Sequence, residues 1–180
     1  MSTSTPSPAP TPAPGTTPGT TPATSPGARL VVGVDGSEPS LAALRWAEFL
    51  APAMGSTIQV VAVWQATTAF GLMGEGWGAL PSDWNPAGIT RDALEAAVNE
   101  VFGDHRPAGL ETRVEEGNTA QVLLELSADA RMLVIGSRGH GGFTSLLLGS
   151  VSAACTEHAT CPVLVVHGTT PPPTRTDVSS

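Results

Sequence analysis

The sequence predicts one α/β domain built on an open, five-stranded parallel sheet with helices on both faces. Three observations carry this. Arg29 to Val34 (RLVVGV), Thr57 to Trp64 (TIQVVAVW), Met132 to Ile135 (MLVI) and Pro162 to His167 (PVLVVH) are short, β-branched and almost unbroken in apolarity, the pattern of strands buried on both faces. Segments of helical period stand between them, so right-handed crossovers and parallel pairing are the natural connection. A chain of 180 residues whose ends are low in complexity is sized for a single core.

Each element follows in order. Met1 to Gly27 holds only Met, Ser, Thr, Pro, Ala and Gly. With no charge and almost nothing to bury, it cannot offset its ordering entropy and reads as a disordered arm of polyproline character. The first strand, Arg29 to Val34, ends in a turn at Asp35-Gly36-Ser37. Ser37 suits a helix N-cap and Glu38 and Pro39 suit the first turn after it. That helix runs to about Ala51 with Ala43, Trp46, Ala47 and Leu50 on one face. Thr57 to Trp64 is the second strand. Gln65 to Gly88 is a long connection scattered with Gly, Trp and Pro, and connections of that length are often functional. Ile89 to about Phe102 is amphipathic, with Thr90 as its expected cap.

Glu111 to Glu115 alternates charged residues, which suits a sheet edge. Asn118 caps a helix to about Ala130, and Met132 to Ile135 is the fourth strand. Leu146 to about His158 is expected to be helical, and Pro162 to His167 closes the sheet. Thr169 to Ser180, with Pro171, Pro172 and Pro173, reads as a shorter disordered tail. The folded domain is therefore expected over Ala28 to Gly168, a usual size. Met54, Met73 and the tryptophans suit packing or loop anchoring better than ligand binding.

The formal net charge is −8 and all eight basic residues are arginine. An acidic domain with no basic stripe argues against nucleic acid and anionic membrane as partners. The absence of lysine excludes the P-loop, which uses one to reach the phosphates. The arm lacks the basic segment and apolar stretch of a secretory leader, and no apolar run approaches the ~18 residues of a membrane span. A soluble, cytoplasmic protein is the expectation. Two cysteines, Cys155 and Cys161, do not make a disulfide framework.

In open parallel sheets, ligands bind beyond the carboxyl ends of the strands, where strand order reverses. Two turns belong there. One is Val34-Asp35-Gly36-Ser37; the other is Gly136-Ser137-Arg138-Gly139, followed after nine residues by Gly149-Ser150. Small residues let a ligand approach the backbone, and N–H groups entering a helix favour an anion. Ser150 adds a hydroxyl donor and Arg138 a full positive charge.

The Gly-x-x-Gly, nine-residue, Gly-Ser pattern, with VGVDGSEPS before it and CPVLVVH after it, resembles the universal stress protein family. The resemblance covers essentially all of Ala28 to Gly168. It implies strand order 3-2-1-4-5, an adenine-nucleotide alpha-hydrolase-like arrangement, and a homodimer joined through the last strand, Val163 to Val166. Members with the glycine motif intact are implied to bind ATP, with Mg2+ as the accompanying cation, in a regulatory stress response. Asp35 would then accept from the ribose hydroxyls, with Val34 beside it, and Val63 would meet the adenine edge through its backbone. Gly136, Arg138, Gly139, Gly149, Ser150 and Val151 would surround ribose and phosphates, with His140 approaching the phosphates.

Singly, these residues have plainer readings. Asp35 could be a turn aspartate and Ser150 a cap or helix-interior serine. Their joint spacing is what points to a nucleotide. Cys155, His158 and Cys161 form C-x-x-H-x-x-C but lack an evident fourth ligand, so core cysteines are preferred to a metal site. No catalytic constellation accompanies Asp35, Arg138 and His140, so binding with at most slow hydrolysis is expected. A nucleotide-hydrolysing or adenylating enzyme, and a dimeric partner-binding protein with a structural ATP site, are the alternatives.

Overall fold

The computed structural model describes residues 28–65, 85–139 and 148–173. They form β1 (Arg29–Gly33), α1 (Glu38–Ala53), β2 (Thr57–Trp64), α2 (Pro86–Phe102), β3 (Glu111–Glu116), α3 (Thr119–Ser127), β4 (Met132–Gly136), α4 (Ser150–His158) and β5 (Val163–Val166). Every strand pairing is parallel, in the order β3-β2-β1-β4-β5. Val32 marks the centre, opposite Val60 on one side and Val134 on the other.

Period-two alternation divides the apolar strands between two cores. Leu30, Val32, Val60 and Val134 face Leu44 and Ala47 of α1 and Leu94 and Val98 of α2. Val31, Val61, Leu133 and Ile135 face the other way, against Leu123 of α3 and Cys155 of α4. This double burial is why the strands read as continuous runs. The charged β3 lies at one edge, as its alternation implied.

Several boundaries differ from the sequence expectation. The helix expected from Ile89 begins at Pro86, where Asn85 accepts the Gly88 N–H at 2.9 Å. Thr90 is therefore interior, because Asn followed by Pro makes the stronger start. α3 stops at Ser127 rather than Ala130, the chain closing a turn from Ala130 N–H to the Ser127 carbonyl. α4 begins at Ser150 rather than Leu146; Leu148 is outside it, and residues 140–147 lie outside the described residues. Gly149, expected inside that helix, is its extended N-cap, with φ −71° and ψ 163°.

Candidate functional site

β1 ends at Gly33, and the Val34 N–H still donates to the Val61 carbonyl at 2.9 Å. Val34 is buried, whereas Asp35, the next residue, is exposed. Gly36 turns the chain with φ +83°, a conformation that favours glycine. Asp35 Oδ1 accepts the Ser37 N–H at 3.0 Å and the Ser37 hydroxyl at 2.6 Å. Ser37 occupies the N-cap of α1, yet its side chain makes no cap bond; its hydroxyl is committed to the carboxylate instead. The buried Ser40 hydroxyl donates to the Ser37 carbonyl at 2.8 Å and receives the Asp35 N–H at 3.4 Å. The turn reading of Asp35 is thus correct as far as it goes, and the turn holds its carboxylate in one position.

The second turn leaves the end of β4. Ser137 N–H donates to the Val166 carbonyl at 2.7 Å, and the Ser137 carbonyl accepts the Gly149 N–H at 2.8 Å. The Ser152 hydroxyl, on the first turn of α4, donates to the Gly136 carbonyl at 2.7 Å. These bonds fasten both ends of the glycine loop to the sheet. The Ser37 hydroxyl also lies 3.4 Å from the Arg138 carbonyl, so the two turns meet at the point where the strand order reverses between β1 and β4. A Cβ on Gly139 would come within 2.2 Å of Asp35 Oδ2.

Asp35, Arg138, Gly139 and Gly149 are therefore gathered at one place, with exposed Ser150 beginning α4 beside them. Val151 packs into the second core cluster, as does Val63 near the end of β2. His140 lies outside the described residues. Ser37 and Ser152 were not foreseen as contributors: the Arg138 and Gly136 carbonyls they reach are brought close only by the fold, although Ser37's bond to Asp35 is local to the turn. The one signal was Ser152 itself, a hydroxyl on the buried side of α4.

Away from this site, Cys155 is fully buried and Cys161 is half-buried beside the same cluster, both as free thiols. Burial pushes the Cys155 thiol up to about 11, with Cys161 adding to the effect, so it is protonated and unreactive at neutral pH. His158 is exposed. Among the described residues, no group of three His, Cys, Asp or Glu side chains is arranged to hold a metal. No described helix is long and apolar enough to cross a membrane.

The chain matches the model of the Universal stress protein family over residues 28–167. It is 34% identical over 141 residues to universal stress protein Rv2005c of Mycobacterium tuberculosis, covering 77% of this chain and 47% of that one. It is 30% identical over 146 residues to a universal stress protein of Mycolicibacterium smegmatis, covering 77% and 48%. The chain thus spans about half the length of these curated relatives. Among solved structures it is similar to a universal stress protein in complex with cAMP, at 25% identity and TM-score 0.56, over 80% of this chain and 99% of that one. A universal stress protein from Archaeoglobus fulgidus shares the fold at 23% identity and TM-score 0.55, over 77% and 97%.

Proposed function

This chain belongs to the universal stress protein family, and from that premise we propose that its strand-end site binds ATP in a regulatory role, with at most slow hydrolysis. The geometry of the three motif glycines supports this. Gly136 has a packing reason: an added Cβ would lie 2.7 Å from the Pro39 carbonyl carbon. Gly139 closes on the Asp35 carboxylate. Gly149 has neither reason among the described residues, for its φ is −71° and the nearest atom to an added Cβ is 3.5 Å away. Ser, Asp or Asn would cap α4 better. A ligand lying against that backbone supplies the missing reason.

The residues fit an adenine nucleotide. Asp35 offers an acceptor for ribose hydroxyls, while the N-terminus of α4 and Arg138 suit phosphates that Mg2+ accompanies. Val34 and Val63 border the adenosine side, and Gly136, Ser150, Val151 and His140 complete the proposed surround. The solved relative in complex with cAMP supports a nucleotide of this class. A homodimer paired through β5 goes with the same reading.

Calorimetric titration with ATP tests the site. Asp35→Asn keeps an acceptor for Ser37 but loses the charge; hydrogen bonds to charged groups are worth about 1.5–3 kcal/mol, so affinity is expected to fall roughly tenfold or more. Unchanged affinity in a variant that melts normally overturns the assignment. Titration with cAMP is the companion measurement: ATP is expected to bind more tightly, because only its longer phosphate chain gains from Arg138 and α4. Multiple turnovers per minute with a specific second substrate would favour an enzyme instead.

A further inference from the structure

Beyond β5 the chain turns on Gly168, whose φ is +57°. The Thr170 hydroxyl and N–H both donate to the His167 carbonyl, at 3.0 and 3.4 Å. This turn lays the chain against α1, where Trp46 Nε1–H donates to the Thr170 carbonyl at 2.9 Å. That carbonyl belongs to the Thr170–Pro171 bond, and Pro172 and Pro173 follow directly. Phe49 meets Trp46 edge-on, with ring centroids 6.1 Å apart and planes at 82°. Trp46, Phe49 and Pro172 are half-buried, whereas Pro171 and Pro173 are exposed.

We propose that Trp46 and Phe49 form a docking ledge for a polyproline II peptide, and that residues 170–173 of the chain itself are its resident occupant. Successive prolines fix φ near −65° and force the preceding residue into extended conformation. Such a segment has no internal hydrogen bonds, so its carbonyls are available to a donor. The indole N–H is a donor with no acceptor capacity, and it sits on a ring whose body packs against the first core cluster. Paired aromatic rings beside an indole donor are the chemistry by which pre-extended proline peptides are held, with little conformational freedom left to lose on docking. Phe49 is absent from the described residues packed against either core cluster; its described ring partner is Trp46.

The test follows the Trp46 indole N–H by NMR in the full chain, with Trp46→Phe assigning its signal among the four tryptophans. Replacing Pro171, Pro172 and Pro173 together by Gly is expected to move that signal and leave the signal of Trp64 in place. Adding the synthetic peptide Gly-Thr-Thr-Pro-Pro-Pro-Thr in trans should return it toward its original position, saturably. The unmodified chain should bind the peptide about tenfold more weakly than the triple variant, because a tethered tail competes at an effective concentration on the millimolar scale. An unmoved Trp46 signal in the triple variant overturns the proposal. So does calorimetric binding of the peptide to the triple variant that persists when Trp46→Phe is added, or an equal shift of the Trp46 signal with a peptide that has glycine in place of each proline.

Discussion

A methyl group added to Gly136 would meet the Pro39 carbonyl carbon at 2.7 Å and the Ser40 nitrogen at 2.8 Å. Both are backbone atoms of α1, and overpacking of this kind costs about 1–3 kcal/mol. Gly136→Ala is therefore expected to lower the melting temperature of the nucleotide-free protein by several degrees. At Gly149 the nearest described neighbours of an added Cβ are Arg138 Cα at 3.5 Å and the Ser137 carbonyl oxygen at 3.6 Å, an ordinary contact. Gly149→Ala should lower that melting temperature only by the modest cost of replacing glycine with alanine at an N-cap, while Gly149→Val should abolish the rise produced by ATP. Thermal melts of the three variants with and without ATP check this. Destabilised Gly149 variants that keep their ATP response would return this glycine to a packing role. The expected helix from Leu146 placed Gly149 in its interior, whereas the structure puts it at the N-cap. Glycine is common at an N-cap; what sets this one apart is the room beside it, with no close neighbour among the described residues.

Helix starts show where sequence patterning loses its hold. Asn85 accepts the Gly88 N–H that begins α2, and losing such a cap costs about 1 kcal/mol. Asn85→Ala should thus lower stability by about that much in urea unfolding, whereas Thr90→Ala, inside the helix, should change it by no more than a few tenths. Equal losses would restore Thr90 as the cap. The cap escaped notice because Asn85-Pro86 closes a stretch crowded with Gly, Trp and Pro, where every residue resembles a turn. Leu148 misled in the opposite sense: the apolar run that it ends looks helical, yet it lies before α4, while Leu146 and Leu147 are outside the described residues. Strands β1, β2, β4 and β5 were legible because they are almost wholly apolar, as strands of a covered parallel sheet are, with Gln59 the one polar residue inside a run. Asp35 and the glycine loop were legible from spacing. The hydroxyl of Ser152 was not, since its bond to Gly136 exists only once α4 is brought against β4; Ser37, whose bond to Asp35 is local to the turn, was read only as a cap.

The molecule has two unlike edges. β3 carries Glu111, Arg113, Glu115 and Glu116, and such charge discourages pairing with another strand. β5, at the opposite edge, is Val163, Leu164, Val165 and Val166. An apolar edge of this kind is relieved by two-fold pairing with a second copy, which closes the assembly. Light scattering at micromolar concentration is expected to give a dimer mass; a monomer mass would count against pairing through β5. A further property follows from the way the glycine loop is fastened. Gly149 N–H closes on the Ser137 carbonyl, Ser137 N–H on Val166 and the Ser152 hydroxyl on Gly136, so the sheet is clasped before residue 140 and again after residue 147. Both ends are thus held by bonds that do not involve the intervening segment. Doubling it with a Gly-Ser insertion adds only about 0.6 kcal/mol of closure entropy. Stability should survive such an insertion while ATP affinity falls, which would make ligand preference something that can be rewritten there without redesigning the scaffold.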